Sequence, residues 1–197
     1  MIEKADWSNK GVKITLDGEE YLIHTKAYME ANLSEGQEVD LDALLLRSAY
    51  FYGLEKAESY LLRGLRTRKQ LRDYLIAREF IDPVENILNF LEEYGLINDY
   101  DYAKTYYEQE RHRRGSFAIK QRLRQRGINS STLARIDMIE DPKDALELLL
   151  KKYSFWEDLD YKEEIKRKNF LLGRGFSHET INKAMILAKN KKTTNKD

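Results

Sequence analysis

A 48-residue internal period constrains this chain more than any other feature of its sequence. The segments LRDYLIAREFIDPVENILNFL, IKQRLRQRGINSSTLARIDMI and RKNFLLGRGFSHETINKAMIL align without a gap, and their junction residues Phe80, Ile128 and Phe176 are 48 apart. Five residues before the junction stand Leu75, Leu123 and Leu171; eleven after it stand Leu91, Ile139 and Leu187. Leu or Ile recurs between them at Leu88, Leu133, Ile136 and Ile181. Each copy reads as a helix, a second helix, a tight turn and a third helix. A unit this small buries little by itself, so stacked neighbours must supply a continuous core. The expected fold class is mainly all-α: a tandem array of three three-helix, helix-turn-helix-like repeats, elongated and curved. Such an array works by presenting a long surface to a partner, which points to binding and away from catalysis.

The first forty residues differ in kind. GVKITLDGEEYLIHT alternates about the Asp17-Gly18 pair, with Val12, Ile14 and Leu16 before it and Tyr21 and Ile23 after it. An Asp-Gly turn between alternating segments predicts a small N-terminal β-hairpin. A short helix over Lys26 to Asn32 and a loop at Ser34-Glu35-Gly36 follow. An isolated hairpin is marginal, so this one needs a helix or a partner to pack on.

From Leu41 the period turns helical. The two prolines each follow an aspartate, and Asp82-Pro83 and Asp141-Pro142 both read as an N-cap followed by proline at the first helical position, where the missing N–H costs nothing. Thr67 with Gln70 and Asp82 with Glu85 have capping-box spacing. Gly64, Gly95, Gly115, Gly127 and Gly175 fall where periodic stretches end, the place of a left-handed C′ residue. These signals predict nine short helices after the N-terminal part. They divide the chain into residues 1–41 (hairpin and short helix), three helical repeats over 42–98, 99–140 and 141–190, and a disordered tail over 191–197 that begins to lose order from Lys189.

Composition agrees with an array. Apolar residues make up 42% and charged residues 35% of the chain, against roughly 45–50% and a quarter in ordinary globular domains. There is no cysteine, which removes disulfides, thiolate catalysis and cysteine-ligated zinc or iron–sulfur centres and suits a reducing cytoplasm. The start, MIEKADWSNK, lacks the apolar run of a secretory signal, and no stretch approaches the ~18 apolar residues of a membrane span. A cytoplasmic protein without membrane association is expected.

The zero net charge conceals a strongly polar molecule. Residues 1 to 42 hold ten acids and four lysines, a local net of −6. Residues 111 to 126, RHRRGSFAIKQRLRQR, hold seven basic residues and no acid, and residues 63 to 78 hold six against the single Asp73. Ile119 and Leu123 share a core face, so Lys120 with Arg124 and Arg122 with Arg126 form basic rows beside it. Arginine grips carboxylate or phosphate with a bidentate fork, and a run this dense without counter-charges favours binding over a merely solvated face. Tyrosine is also abundant. Tyr102 and Tyr106 share a helix face, where packing with the hydroxyl at the edge outranks base stacking.

Catalytic patterns are missing. His24, His112 and His178 lie in separate segments without metal-ligand spacing, and Gly173-Arg174-Gly175 ends a helix instead of linking a strand to one. No carboxylate sits in an apolar pattern that would tune it as an acid or base. No active site, cofactor or metal is expected.

The run from Ala57 to Ile128 resembles the RecX family, regulators of the RecA recombinase. The resemblance rests on AESYLLRGLRTRKQLRDYLIAREF, on ILNFLEEYGLINDYDYAKTYYEQ and on RRGSFAIKQRLRQRGI; FLLGRGFS is similar to the family's third unit. It covers about Leu45 to Lys189. It implies a non-catalytic regulator of recombination and DNA repair, linked to the SOS response, that binds the groove of a RecA filament on single-stranded DNA and limits its growth and activity. An acidic hairpin precedes the first helical unit, as in the longer family members. Under this reading the partner-binding residues are Arg111, Arg113, Arg114, Lys120, Arg122 and Arg124, with Arg66, Arg68, Lys69 and Arg72 as a second patch. The partner is the RecA filament, with weak single-stranded DNA binding beside it, and the protein is expected to be a monomer. The alternative is a helix-turn-helix-like protein acting directly on DNA. A third class is an adaptor holding another protein through its acidic N-terminal part.

Overall fold

The computed structural model describes residues 1–154, 156 and 159–193. The chain forms two compact units, Met1–Asn98 and Asp99–Asp197.

The first unit opens with an antiparallel meander of β1 (Ile2–Ser8), β2 (Gly11–Leu16) and β3 (Glu19–Ile23) in the order β1-β2-β3. The hairpin turn places both Asp17 and Gly18 at positive φ, 50° and 78°, which matches the right-handed twist of the strands it joins. Strand β1 was not expected, because only Ile2 of its seven residues is buried and no alternation marks it. Val12, Ile14, Leu16 and Ile23 point to one core shared with Ala27 and Tyr28 of α1 (Thr25–Glu30) and with Leu44 and Phe51 of α2 (Leu41–Leu61). The hairpin therefore packs on helices of its own unit. Helix α1 ends two residues short of Asn32, which turns the chain at φ 48°.

Helix α2 continues into the first repeat with α3 (Arg68–Ile76) and α4 (Val84–Glu93). Leu54 and Ala57 of α2, Leu71 and Leu75 of α3, and Val84, Ile87, Leu88 and Leu91 of α4 form its core. The Thr67–Gln70 capping box is present, with both reciprocal bonds at 3.1 Å. The one expected at Asp82 and Glu85 is not: Pro83 itself is the N-cap and makes no side-chain cap bond. Glu85 is drawn instead to Arg68 and Arg72 across the helix pair.

The second unit holds two repeats. The first comprises α5 (Asp99–Glu110), α6 (Ser116–Gln125) and α7 (Ser130–Ala134); the second comprises α8 (Pro142–Lys152), α9 (Tyr161–Leu172) and α10 (His178–Thr193). Among the described residues, nine helices follow α1. Asp141 caps α8 with Pro142 at its first position, as expected. Helix α10 carries Lys189 and the residues to Thr193, so the expected disorder does not begin at Lys189; 194–197 lie outside the described residues.

The period has a backbone cause. In each copy the junction N–H bonds the carbonyl five residues earlier: Phe80 to Leu75 at 3.1 Å, Ile128 to Leu123 at 3.0 Å and Phe176 to Leu171 at 3.3 Å. The residue just before the junction is left-handed each time, Glu79 at φ 68°, Gly127 at 92° and Gly175 at 82°. This is a Schellman stop, with its usual apolar pair between the bonded residues. Leu75, Leu123 and Leu171 are all fully buried beneath it.

Past the junction the ungapped alignment fails. Helices α7 and α10 begin two residues after Ile128 and Phe176, but α4 begins four residues after Phe80, behind Pro83. The third helix of the first copy is therefore out of phase: Leu91 is fully buried, while Ile139 and Leu187 are 65% and 39% exposed. Gly115 also departs from expectation. It is the N-cap of α6 with φ −75°, not a left-handed C′ residue. Its role is close approach, since a Cβ there would lie 2.1 Å from the Gly175 carbonyl oxygen.

Candidate functional site

Each expected cation is held by a helix whose opposite face is core. In the first unit, Arg68, Lys69 and Arg72 stand on α3 beside the fully buried Leu71 and Leu75. Arg68 reaches across to α4, where it bonds Glu92, Glu85 at 2.7 Å and Asn89 at 2.9 Å. Arg72 meets the same Glu85 at 3.0 Å, and Lys69 meets Asp73 at 2.6 Å. Arg66 lies 4.6 Å from the Tyr60 ring centre; Tyr60 stacks on Tyr74 at 4.0 Å, and Arg78 covers Tyr74 at 3.7 Å. The first patch is thus largely neutralised, and Arg68 works as a clamp between two helices.

The second unit presents a different picture. Arg111 and Arg114 are held by Glu108 at 3.3 Å and Glu110 at 2.6 Å on their own helix. Arg126 folds over Tyr106 at 4.1 Å, and Tyr106 lies parallel to Tyr102. Lys120, Arg122 and Arg124 on α6, and Arg113 in the loop before it, have no ion-pair partner among the described residues. Arg122 and Arg124 are exposed, on the same rigid helix as the buried pair Ile119 and Leu123.

Arg113 and Arg114 also belong to a groove of about 600 Å³ with Lys151 and Lys152 of α8 and Arg174 of the α9–α10 turn. The sequence pattern does not single out these last three. Lys151-Lys152 looks like an ordinary complement to a helix C-terminus, and nothing local announces the backbone contact between Gly115 and Gly175 that brings the two turns together. That contact is fixed by N–H bonds from Gly115 to the Arg174 carbonyl at 3.0 Å and from Phe117 to the Gly175 carbonyl at 3.2 Å.

Glu140 ties the same region from below. Its two carboxylate oxygens accept from the Ser116 N–H at 2.7 Å and the Ser177 N–H at 2.9 Å, at the starts of α6 and α10. Burial opposes its ionisation, yet the bonds from Ser177 and Ser116 outweigh that cost and hold its carboxyl below the usual range.

The histidines have structural roles. His24 caps α1 by accepting the Lys26 N–H at 3.1 Å, lies 3.1 Å from Glu55 and stacks on Phe51; His112 meets Asp144 at 2.7 Å. Among the described residues no group of three or more acids and histidines is placed to hold a metal ion, and no helix is long and apolar enough to cross a membrane.

The family description "RecX, third three-helix domain" matches residues 140–185, the span of α8 to α10. A regulatory protein RecX of Clostridium botulinum (strain Eklund 17B / Type B) is 31% identical over 149 residues, covering 72% of this chain and 70% of that protein. The chain belongs to the RecX family. Another relative, the regulatory protein RecX of Clostridium acetobutylicum, is 29% identical over 188 residues, 88% of each chain. A crystal structure of regulatory protein RecX superimposes with a TM-score of 0.74 at 25% identity, covering 92% of this chain and 96% of that one. The crystal structure of RecX from Lactobacillus salivarius gives 0.64 at 27% identity, covering 71% and 96%. RecX relatives bear the name of regulatory proteins, and a regulatory role is the function that membership in the family supports.

Proposed function

We propose that this protein regulates the RecA recombinase by binding the RecA–single-stranded DNA filament and limiting its growth and activity, as a cytoplasmic monomer with no chemistry of its own. The observation that carries this reading is the outward side of α6, where Lys120, Arg122 and Arg124 stand without ion-pair partners on a helix anchored by the fully buried Ile119 and Leu123. Cations that are not neutralised within their own fold keep their attraction for an acidic protein face or a phosphate chain, and a rigid helix presents them at little entropic cost. Arg113 extends this surface. Arg111 and Arg114, together with Arg66, Lys69 and Arg72, form its margin: their carboxylate partners are largely exposed, and exchanging a surface ion pair costs little. Arg68, with three partners on α4, stays with its helix pair.

The test is co-sedimentation with recombinase filaments. The wild-type chain should pellet with them and inhibit filament ATPase at levels well below the recombinase. Arg122→Glu with Arg124→Glu should weaken co-sedimentation by about tenfold or more, since reversing two charges replaces attraction with repulsion. A large excess of wild-type protein that leaves filament ATPase and length unaltered would falsify the proposal.

A further inference from the structure

The groove between α8, the α9–α10 turn and the loop before α6 lies in the second unit and is separate from the outward side of α6. Its cations are Arg113, Arg114, Lys151, Lys152 and Arg174, and no carboxylate lines it. Arg114 is held by Glu110, but Arg113, Lys151, Lys152 and Arg174 have no ion-pair partner among the described residues. The floor is apolar, formed by Leu148 and the half-buried Phe170. Lys152 and Arg174 lie over the Phe170 ring at 4.0 Å and 4.7 Å. Arg174 is further fixed by donating to the Arg113 carbonyl at 3.3 Å, and the Gly115–Gly175 contact holds the two turns together. The groove is therefore assembled before any ligand arrives.

We infer that this groove binds the sugar–phosphate backbone of single-stranded DNA. The side chains lining it are donor-only: guanidinium and ammonium groups with two apolar residues, and no carboxylate, amide or hydroxyl to accept a hydrogen bond. A polypeptide strand, even an acidic one, brings a main-chain N–H at almost every residue, and those donors would find no side-chain acceptor here. A deoxyribose–phosphate chain brings only acceptors, its charge falls at regular intervals, and the carbon edges of its sugars suit Leu148 and Phe170. Because both faces of the chemistry agree, charge and donor polarity, the ligand class follows from the groove alone. The contact reads no sequence, since nothing in it reaches for a base edge. This inference does not depend on the recombinase.

The experiment measures fluorescence anisotropy of a labelled oligothymidylate with the full chain, without recombinase, over a salt series. Wild type should bind with an affinity that falls as salt rises. Arg113→Glu with Lys151→Glu, both exposed side chains outside any ion pair, should weaken binding by about tenfold and flatten the log–log salt slope by about 0.7 for each phosphate that the variant no longer neutralises. Arg122→Glu with Arg124→Glu, outside the groove, should stay within about twofold of wild type, and polyglutamate at equal charge concentration should compete poorly. No binding by wild type, unchanged binding by the groove variant, or equal competition by polyglutamate would each overturn the inference. Far-UV circular dichroism checks the fold; if the double reversal loses helicity, the single Lys151→Gln is read instead, with a smaller loss of the same sign. Loss of oligothymidylate binding with intact filament co-sedimentation would separate this site from the proposed function.

Discussion

Glu79 shows how one residue can disclose both a constraint and its cost. It occupies the left-handed position that Gly127 and Gly175 fill in the other two copies, at φ 68°, and its exposed side chain makes no bond that the turn requires. A left-handed residue with a Cβ costs about 1–2 kcal/mol, part of which glycine returns through the greater freedom of its unfolded chain. Glu79→Gly should therefore raise the stability of the first unit by about 1 kcal/mol, read as a higher urea midpoint with an unchanged slope. Gly175 is the opposite case. A Cβ there would lie 2.4 Å from the Ala118 nitrogen and must also adopt φ 82°. Gly175→Ala should cost about 2–4 kcal/mol, from the forbidden backbone and the clash together. Equal effects at the two positions would show that the Schellman stop is not what the period encodes.

Among the elements, helix ends decide the second unit, and Glu140 serves two of them at once. Its charge lies at the starts of both α6 and α10, where unpaired N–H groups and the helix dipole favour an anion. A carboxyl with a lowered folded-state value holds its proton less well folded than unfolded, so its stabilisation is complete above the unfolded value of about 4.3 and fades as pH falls through the lowered one. Glu140→Gln should cost about 1 kcal/mol at pH 7, because it removes a charged acceptor from two backbone donors, and the gap to wild type should close as pH falls below about 4.3. Urea midpoints of both proteins from pH 7 to pH 3 give that difference; a gap independent of pH would remove the charge from the account. The sequence showed the parts of this fold that are written locally. The Thr67 box, the Asp141-Pro142 start, the Asp17-Gly18 turn and the three junctions were all legible because each is set by residues within a turn of one another. Strand β1, the late start of α4 behind Pro83 and the meeting of Gly115 with Gly175 were not, since each depends on what packs from afar. The cations divide in the same way: their presence could be read, but which of them were already taken by Glu85, Glu92 or Glu110 could not.

For the whole molecule, the relevant quantity is the separation of charge and not its sum. The chain carries 34 basic and 34 acidic residues, yet residues 1 to 42 carry a net of −6 while residues 111 to 126 hold no acid at all. A polyanion approaching such a protein feels attraction from one part of the chain and repulsion from another, and how many charges it feels depends on screening. At about 10 mM ionic strength the Debye length is about 30 Å, so the acidic segment acts over distances comparable to a domain; at about 150 mM it is about 8 Å and only close charges matter. Glu3 and Glu38 are exposed acids with no ion pair or cap to lose. Replacing both by glutamine should leave stability within about 0.5 kcal/mol, as for other surface changes. It should raise the association rate with an oligothymidylate by about twofold at the lower salt, and the gain should vanish at the higher one. Stopped-flow association rates at the two ionic strengths measure this directly. A gain that persists at high salt would mean that the acids oppose binding by contact, which would place the N-terminal segment at the nucleic-acid surface itself; no gain at low salt would mean that the field of the acidic segment does not reach the approaching strand.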